Sequence, residues 1–306
     1  MPPKVIIIVL NWNGWGDTLE CLASLQRLDY SNYQVIVVDN GSTDDSVMRI
    51  REYAPHVELL ETGRNLGFSA GCNVGIVRAL EQAADYVWLL NNDTTVDPGA
   101  LTSLVHTAMS DARTGATGSA IYSAHTPHQL EAWGGGRINF WLGRSRHAKQ
   151  PVPDNVIDFL TGASILISRT VIEHLGLLDE GFFMYWEDTD YCFRLRRAGY
   201  RIAVAGQSRI WHKGSASVGK ASPQMDTYFN ASAARFFRRH SPLPQISLWT
   251  GVLLRLAKRF LTGKWDHVRA VWAGVTDQQL LGKHAPERAE FRFVTPQTQY
   301  KSVPPE

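Results

Sequence analysis

The chain has 306 residues, 44% of them hydrophobic and 20% charged, with a formal net charge of +2. That is an ordinary globular composition, which excludes a disordered or low-complexity chain, and the charge is too small for nucleic acid to be the main partner. The three cysteines, Cys21, Cys72 and Cys192, stand far apart with no C-x-x-C pairing, so neither a disulfide framework nor a zinc knuckle is expected and a reducing compartment fits.

The apolar run at residues 5–10 is too short for a signal-peptide core or a membrane span, and no stretch of about 18 uncharged apolar residues follows it anywhere. β-rich runs at 5–10, 34–39, 57–61, 86–90 and 116–122 alternate with helical spacing over 18–28, 46–53, 70–82 and 98–110. Strand–helix alternation predicts a mainly parallel sheet with helices on both faces. Such sheets bind ligands at the carboxyl ends of their strands, which draws attention to residues 11–14, 39–43, 62–65 and 91–93.

Residues 124–155, rich in Gly, Pro, His and basic side chains and containing Gly134-Gly135-Gly136, read as an irregular insertion. An apolar pattern resumes at 159–168, broken by Thr161-Gly162. A helix is expected from near Glu187 to Gly199, a good stop signal, and two short strands at 201–205 and 209–211. Residues 245–272 have helical spacing. Trp249, Val252, Leu253, Leu256 and Phe260 share one face, Arg255 and Lys258 fall on the other side, and Arg259 lies at the border. Such a helix either packs on the main domain or lies on an anionic membrane surface. The tail after about His284 is polar.

Five segments can carry chemistry. In VIVVDNGSTD, residues 35–44, a strand ends in Asp39, where a carboxylate can accept hydrogen bonds from a ring N–H or ribose hydroxyls. An ordinary turn with Ser42 or Thr43 as helix cap accounts for the same residues. In GRNLGFSAGCN, residues 63–73, Gly67, Ala70 and Gly71 allow a ligand to approach N–H groups at a helix start, and Arg64 is placed for a phosphate. Close helix-on-sheet packing explains the glycines but not Arg64 and Asn65, and the spacing is not G-x-G-x-x-G.

WLLNNDTTVDP, residues 88–98, delivers Asn91, Asn92 and Asp93 to a strand end, where one carboxylate can hold a divalent cation that also binds diphosphate oxygens. Asp97 before Pro98 already serves as the turn into a helix, which leaves Asp93 to explain. Glu187, Asp188 and Asp190 cluster at a helix start after the aromatic run FFMYW. The helix dipole accounts for one or two of them, while an acid beside Tyr185 and Trp186 also suits a general base next to a sugar platform. His212, in IWHKGSAS, reads in isolation as a core histidine or as a metal ligand.

Taken in order over residues 4–215, the motifs N-W-N-G, VVDNGSTD, RNLGFSAGCN, LLNNDT, WEDTDYCFRLRRAGY and WHKGSAS resemble glycosyltransferase family 2. More narrowly the chain is similar to bacterial rhamnosyltransferase-like members that build cell-surface polysaccharides. The resemblance implies a GT-A fold over residues 1–215, with its mainly parallel central sheet and helices on both faces. A C-terminal helical region over 216–306 would then be acceptor-related or lie at a membrane surface.

The resemblance also implies roles. Asp39 would bind a pyrimidine ring with help from Arg64 and Asn65. Asp93 takes the place of the last acid of the D-x-D motif, His212 that of a second protein ligand of magnesium or manganese, and Asp188 that of the catalytic base, positioned by Glu187. Asn11, Gly67, Gly71, Asn73 and Asn92 complete the expected donor-binding set. Asn91 departs from the pattern, standing where the first D-x-D acid belongs and removing one negative charge. Without a Q-x-x-R-W motif or membrane helices, single addition is expected rather than processive synthesis.

The expected activity is an inverting, metal-dependent hexosyl transfer. The donor is a nucleotide diphosphate-sugar, leaning to deoxythymidine diphosphate-L-rhamnose with a uridine diphosphate-sugar as the alternative. The acceptor is a saccharide or lipid-linked saccharide, with no nucleic acid involved. The expected place is the cytoplasm, with peripheral contact at the inner face of the membrane. Two rivals stand beside this. A sugar nucleotidyltransferase calls for a Gly-rich basic loop where Asn11-Trp12-Asn13-Gly14 stands. A non-catalytic, membrane-peripheral scaffold is allowed by Asn91 and the basic helix.

Overall fold

The computed structural model describes residues 1–214 and 222–276. In chain order the first part runs β1 (Val5–Asn11), α1 (Trp15–Leu25), β2 (Tyr33–Asp39), α2 (Ser46–Tyr53), β3 (Glu58–Glu61), α3 (Phe68–Glu81), β4 (Tyr86–Asn91), β5 (Thr94–Val96), α4 (Ala100–Met109) and β6 (Thr114–Ser123). There follow β7 (Leu130–Trp133), β8 (Gly135–Asn139), β9 (Arg144–His147), β10 (Phe159–Leu160), β11 (Ser164–Ser168), α5 (Arg169–Leu175), α6 (Glu187–Arg197) and β12 (Arg201–His212). Three helices come last: α7 (Pro223–His240), α8 (Pro244–Leu261) and α9 (Trp265–Thr276).

The main sheet has the order β3-β2-β1-β4-β11-β6-β12-β5, with β7 pairing to β6 off this path. Strands β1 to β4 are parallel neighbours, and β11 is antiparallel to both β4 and β6. β1 and β2 read VIIIVLN and YQVIVVD, apolar on both faces, as strands covered on both sides require. Ile6, Ile8, Ile36 and Val38 pack with residues of α3, α5 and α6, while Val5, Ile7, Val9 and Val37 pack with α1, α2 and α4. The doubly covered α/β sheet expected from the alternation is the one observed. The three cysteines sit in these helices, buried and free, and burial raises every thiol, those of Cys21 and Cys192 to about 12.

Four expectations need correction. Residues 124–155 are not irregular throughout, because β8, β9 and β10 form a second, antiparallel sheet in order β10-β8-β9. The glycine run is what lets these strands close up. A Cβ on Gly135 would lie 1.7 Å from the Phe159 carbonyl oxygen, and one on Gly136 would lie 2.1 Å from that of Arg146. Residues 201–211 form one strand rather than two, since β12 continues through a bulge between Ala205 and Arg209.

The helical spacing over 245–272 belongs to two helices, broken at Gly263, whose φ is +66°. The orientation of α8 also differs from the expected one. Leu248, Gly251 and Val252 face inward, as do Arg255, bonded to Asn230, and Arg259, bonded to Asp226. Buried polar partners on α7 draw the two arginines in, so Trp249, Leu253 and Phe260 turn outward with Lys258.

α7 joins these helices to the sheet domain. Ala233, Phe236 and Phe237 pack on Phe182 and Trp186 just ahead of α6, and Ala234 packs with Leu248, Val252, Val271 and Val275 of α8 and α9. The expected border at 215/216, Ser215 and Ser217 of the last motif, and the tail after His284 lie outside the described residues.

Candidate active site

Parallel register aligns the carboxyl ends of β2, β1 and β4: Asn11 pairs with Asp39 and Leu10 with Asn91. The loops leaving these ends are cross-linked by side chains. Asn11 donates to Asp39 Oδ1 (2.8 Å) and to Ser42 Oγ (3.1 Å) and accepts from Thr18 (2.8 Å). Asp39 also accepts from the Ser42 backbone N–H and hydroxyl, at 3.0 and 2.6 Å. Asn40 accepts from the Leu66 N–H and donates to Asn65 Oδ1 and to the Gly67 carbonyl. Here the loop of residues 62–67 is fastened to the end of β2.

Beyond these loops lies a cavity of about 500 Å³ lined by Asn40, Asn65, Gly67, Asn92, Asp93 and His212 on one side. Glu187 and Asp188 line it from the start of α6, Tyr185 and Trp186 from just ahead of that helix, and Ser145 and His147 from β9. Of the residues expected from the motifs, Asn65, Gly67, Asn92, Asp93, Glu187, Asp188 and His212 are thus brought together. Asn11 and Asp39 lie beneath as loop ties. Arg64 is exposed and outside the lining.

Gly71 and Asn73 also stand apart from the cavity. A Cβ on Gly71 would come within 2.6 Å of Leu10, so this glycine serves the approach of α3 to the sheet. Asn73 bonds Leu178 through both its amide groups and donates to Glu180, bracing the loop ahead of α6.

Asp93 and His212 meet because β5 and β12 pair antiparallel, with His212 opposite Thr94. His212 Nε2 lies 3.1 Å from Asp93 Oδ1 and 3.4 Å from the Asn91 amide. A carboxylate oxygen and an imidazole nitrogen converging on one cavity fit a divalent cation whose other positions are taken by diphosphate oxygens or water. No group of three or more His, Cys, Asp or Glu able to hold a metal occurs among the described residues, so this pair is what they could offer one. Asn91 contributes no charge to it.

The approach to α6 is strained. Tyr185 and Trp186 both have left-handed φ, +71° and +69°, unfavourable for large side chains. Aromatic packing holds Trp186 there, with ring centroids 4.9 Å from Phe236 and 5.1 Å from Phe237. The result aims the first turn of α6 at the cavity. Asp188 accepts from the Gly162 N–H at 2.7 Å and from the Thr189 N–H and hydroxyl at 2.5 and 3.0 Å.

Burial raises the Asp188 carboxyl above its ordinary value, against the pull of those donors and of the His147 charge. Glu187 is pushed well above the usual range by burial and then by Asp188, and its Oε2 has no hydrogen-bond partner. Of the two carboxyls Glu187 is the more strongly raised, and Asp188, with three donors, is the better placed to carry charge. Asp190 faces away into an ion network with His240, Arg194 and Arg239 at 2.7, 2.8 and 3.1 Å. Burial alone would raise its carboxyl, but these partners hold it low.

Three contributors escaped the motif reading: Asn40, Gly162 and His147. Gly162 was visible only as a break in an apolar pattern. His147 had a usable signal, since alternation in the run Arg144-Ser145-Arg146-His147 puts Ser145 and His147 on one face. Burial, its largest influence, lowers the His147 pKa and favours the neutral imidazole.

The profile of Glycosyl transferase family 2 matches residues 5–176. The chain is 29% identical over 222 residues to the N-acetylglucosaminyl-diphospho-decaprenol L-rhamnosyltransferase of Mycobacterium tuberculosis, covering 65% of this chain and 72% of that one. It is 25% identical over 216 residues to rhamnosyltransferase WbbL of Escherichia coli K12, covering 65% and 79%. Among solved structures, mannosyltransferase PcManGT from Pyrobaculum calidifontis, in complex with GDP-Man and Mn2+, shares the fold with a TM-score of 0.59 at 17% identity, covering 92% of this chain and 88% of that one. The family match covers more than half of the chain, and the chain belongs to glycosyl transferase family 2, with a GT-A fold.

Proposed function

We propose that the protein transfers L-rhamnose from deoxythymidine diphosphate-rhamnose to one hydroxyl of a lipid-linked saccharide, with inversion, in the synthesis of a surface polysaccharide. The observation that supports this best is Asp188, a half-buried carboxylate with raised pKa, fixed by the Gly162 N–H in the cavity that also holds Asp93 and His212. The two rhamnosyltransferases among the relatives favour the sugar, and the diphospho-decaprenol substrate named for one of them favours a lipid-linked acceptor.

The donor lies along the edge formed by Asn40, Asn65 and Gly67, where the loops tied by Asp39 offer their polar groups to the pyrimidine. Asp93 and His212 would hold a magnesium or manganese ion, which when bound offsets the negative charge of the departing diphosphate. Asp188 accepts the proton of the acceptor hydroxyl as that oxygen attacks the anomeric carbon from the side opposite the diphosphate. A raised pKa brings this base closer to neutral pH, where proton transfer is more effective. Glu187, raised by burial and by Asp188, disfavours a second negative charge in the turn. Trp186 and Tyr185 supply flat apolar surface for a sugar face.

Calorimetry across a panel of nucleotide diphosphate-sugars, with and without manganese, tests the donor. Metal-dependent binding of deoxythymidine diphosphate-rhamnose alone is the expected result, and equal or tighter binding of a uridine diphosphate-sugar would replace the donor.

Peripheral membrane contact is part of the same proposal. Nine of the sixteen exposed large hydrophobic side chains among the described residues fall between Leu243 and Trp272. Lys258 and Lys264 are interspersed among them, and no described helix is long and apolar enough to cross a membrane. That patch suits the headgroup boundary of an anionic bilayer. Sedimentation with phosphatidylglycerol vesicles, but not with phosphatidylcholine vesicles, is expected.

A further inference from the structure

A second cavity, of about 540 Å³, lies between α7 and the α8–α9 turn. Tyr185, Met225 and Phe229 line both this cavity and the catalytic one, so the two adjoin behind the base. Its charge is one-sided. Arg255, Lys258, Arg259 and Lys264 line it against a single acid, Asp226.

That acid is already occupied, bonded by Arg259 through Nε at 3.0 Å and Nη2 at 2.7 Å, and by His267 at 2.8 Å. Arg255 is held by Asn230 and the Gly143 carbonyl, and its Nη2 is buried with no acceptor. Lys258 and Lys264 are exposed, with no ion pair among the described residues. Burial, followed by the Arg259 charge, lowers the Arg255 pKa to about 10. A concave surface with such a surplus attracts a multiply charged anion. At its outer rim the turn that carries Lys264 exposes Phe260, Leu261 and Trp265, at 57%, 83% and 58%. The cationic recess thus opens onto an apolar edge.

We infer that this cavity seats the diphosphate of a lipid-linked acceptor, between Lys258 and Lys264. The acceptor's sugar reaches past Tyr185 to Asp188, and its apolar chain leaves over Phe260, Leu261 and Trp265. The inference deepens the transfer reading and rests on it for the acceptor sugar, whereas the anion site is measurable without any donor. Three cations beyond the Arg259–Asp226 pair suit a diphosphate better than a neutral glycoside. Neither Asp93 nor His212 lines this cavity, which separates the anion from the pair that would hold a metal.

The probe is farnesyl diphosphate, with farnesol as the uncharged control, titrated calorimetrically into the full chain without donor. The diphosphate is expected to bind more tightly than farnesol. Lys258→Gln combined with Lys264→Gln should weaken its binding by about tenfold or more, with the melting temperature unchanged because both side chains are exposed. Excess deoxythymidine diphosphate should not displace it. Wild-type affinity in the double variant, equal affinity for farnesol, or displacement by the nucleotide would each overturn the site. Donor hydrolysis is assayed separately. If it is absent while the lysine-dependent binding persists, the transfer reading fails and the lipid-diphosphate site stands.

Discussion

The first turn of α6 faces two regions of the molecule, the cavity and the packed side of α7, and it presents an aspartate to each. Asp188 and Asp190 are two positions apart, about 200° around the helix, so they cannot share an environment. On the α7 side Asp190 meets an imidazole and two guanidinium groups, and its carboxyl is held low. On the cavity side Asp188 meets only neutral donors, and burial raises it. Partner charge separates a structural acid from a candidate base, although residue type and helix position are nearly the same.

Exchanging the two environments by mutation tests this contrast. Asp188→Asn should lower transfer by about 100- to 10,000-fold while leaving the melting temperature and donor affinity unchanged, as read by turnover and calorimetry. Near-normal turnover would remove it as the base. Asp190→Ala strands His240, Arg194 and Arg239 beside an empty place and should cost about 3–5 kcal/mol in urea unfolding. If stability held and only turnover fell, Asp190 would belong with the chemistry instead.

Asp93→Asn should weaken donor binding in manganese without affecting binding in its absence; an unchanged metal response would end its assignment as a ligand. Thr189→Val should have the smallest effect. It removes one hydroxyl donor to the ionised Asp188, so the carboxyl rises further. The active form is the deprotonated one, so activity is lost as pH falls through this value. The acid limb of kcat/KM should therefore move upward, by about half a unit to one unit. No shift, or a downward one, would mean that the limb reports another group.

Much of this was legible in the chain, for a physical reason. Apolar strands of period two and helices with 3.6 spacing are local, so β1 to β4 and α1 to α4 could be placed from their own residues. Asp93, Asp188 and His212 could be picked out because each follows an apolar run that delivers it to an element end. The Gly162 contact to Asp188 spans 26 positions, and no local pattern announces it. Gly135 and Gly136 resembled loop residues because their closest neighbours, Phe159 and Arg146, come from other strands. The inward turn of Arg255 and Arg259 depends on Asp226 and Asn230 of α7, so amphipathic spacing alone put Arg255 on the outer polar face and Arg259 at its border.

The buried cysteines have a practical consequence. With all three thiols inaccessible and raised above their ordinary values, a maleimide should find nothing to alkylate in the native chain. A single cysteine introduced at exposed Leu261 would then be the one labelled position, with no native residue to remove first. A fluorophore there would sit on the apolar edge itself and report polarity changes as vesicles or prenyl diphosphates arrive.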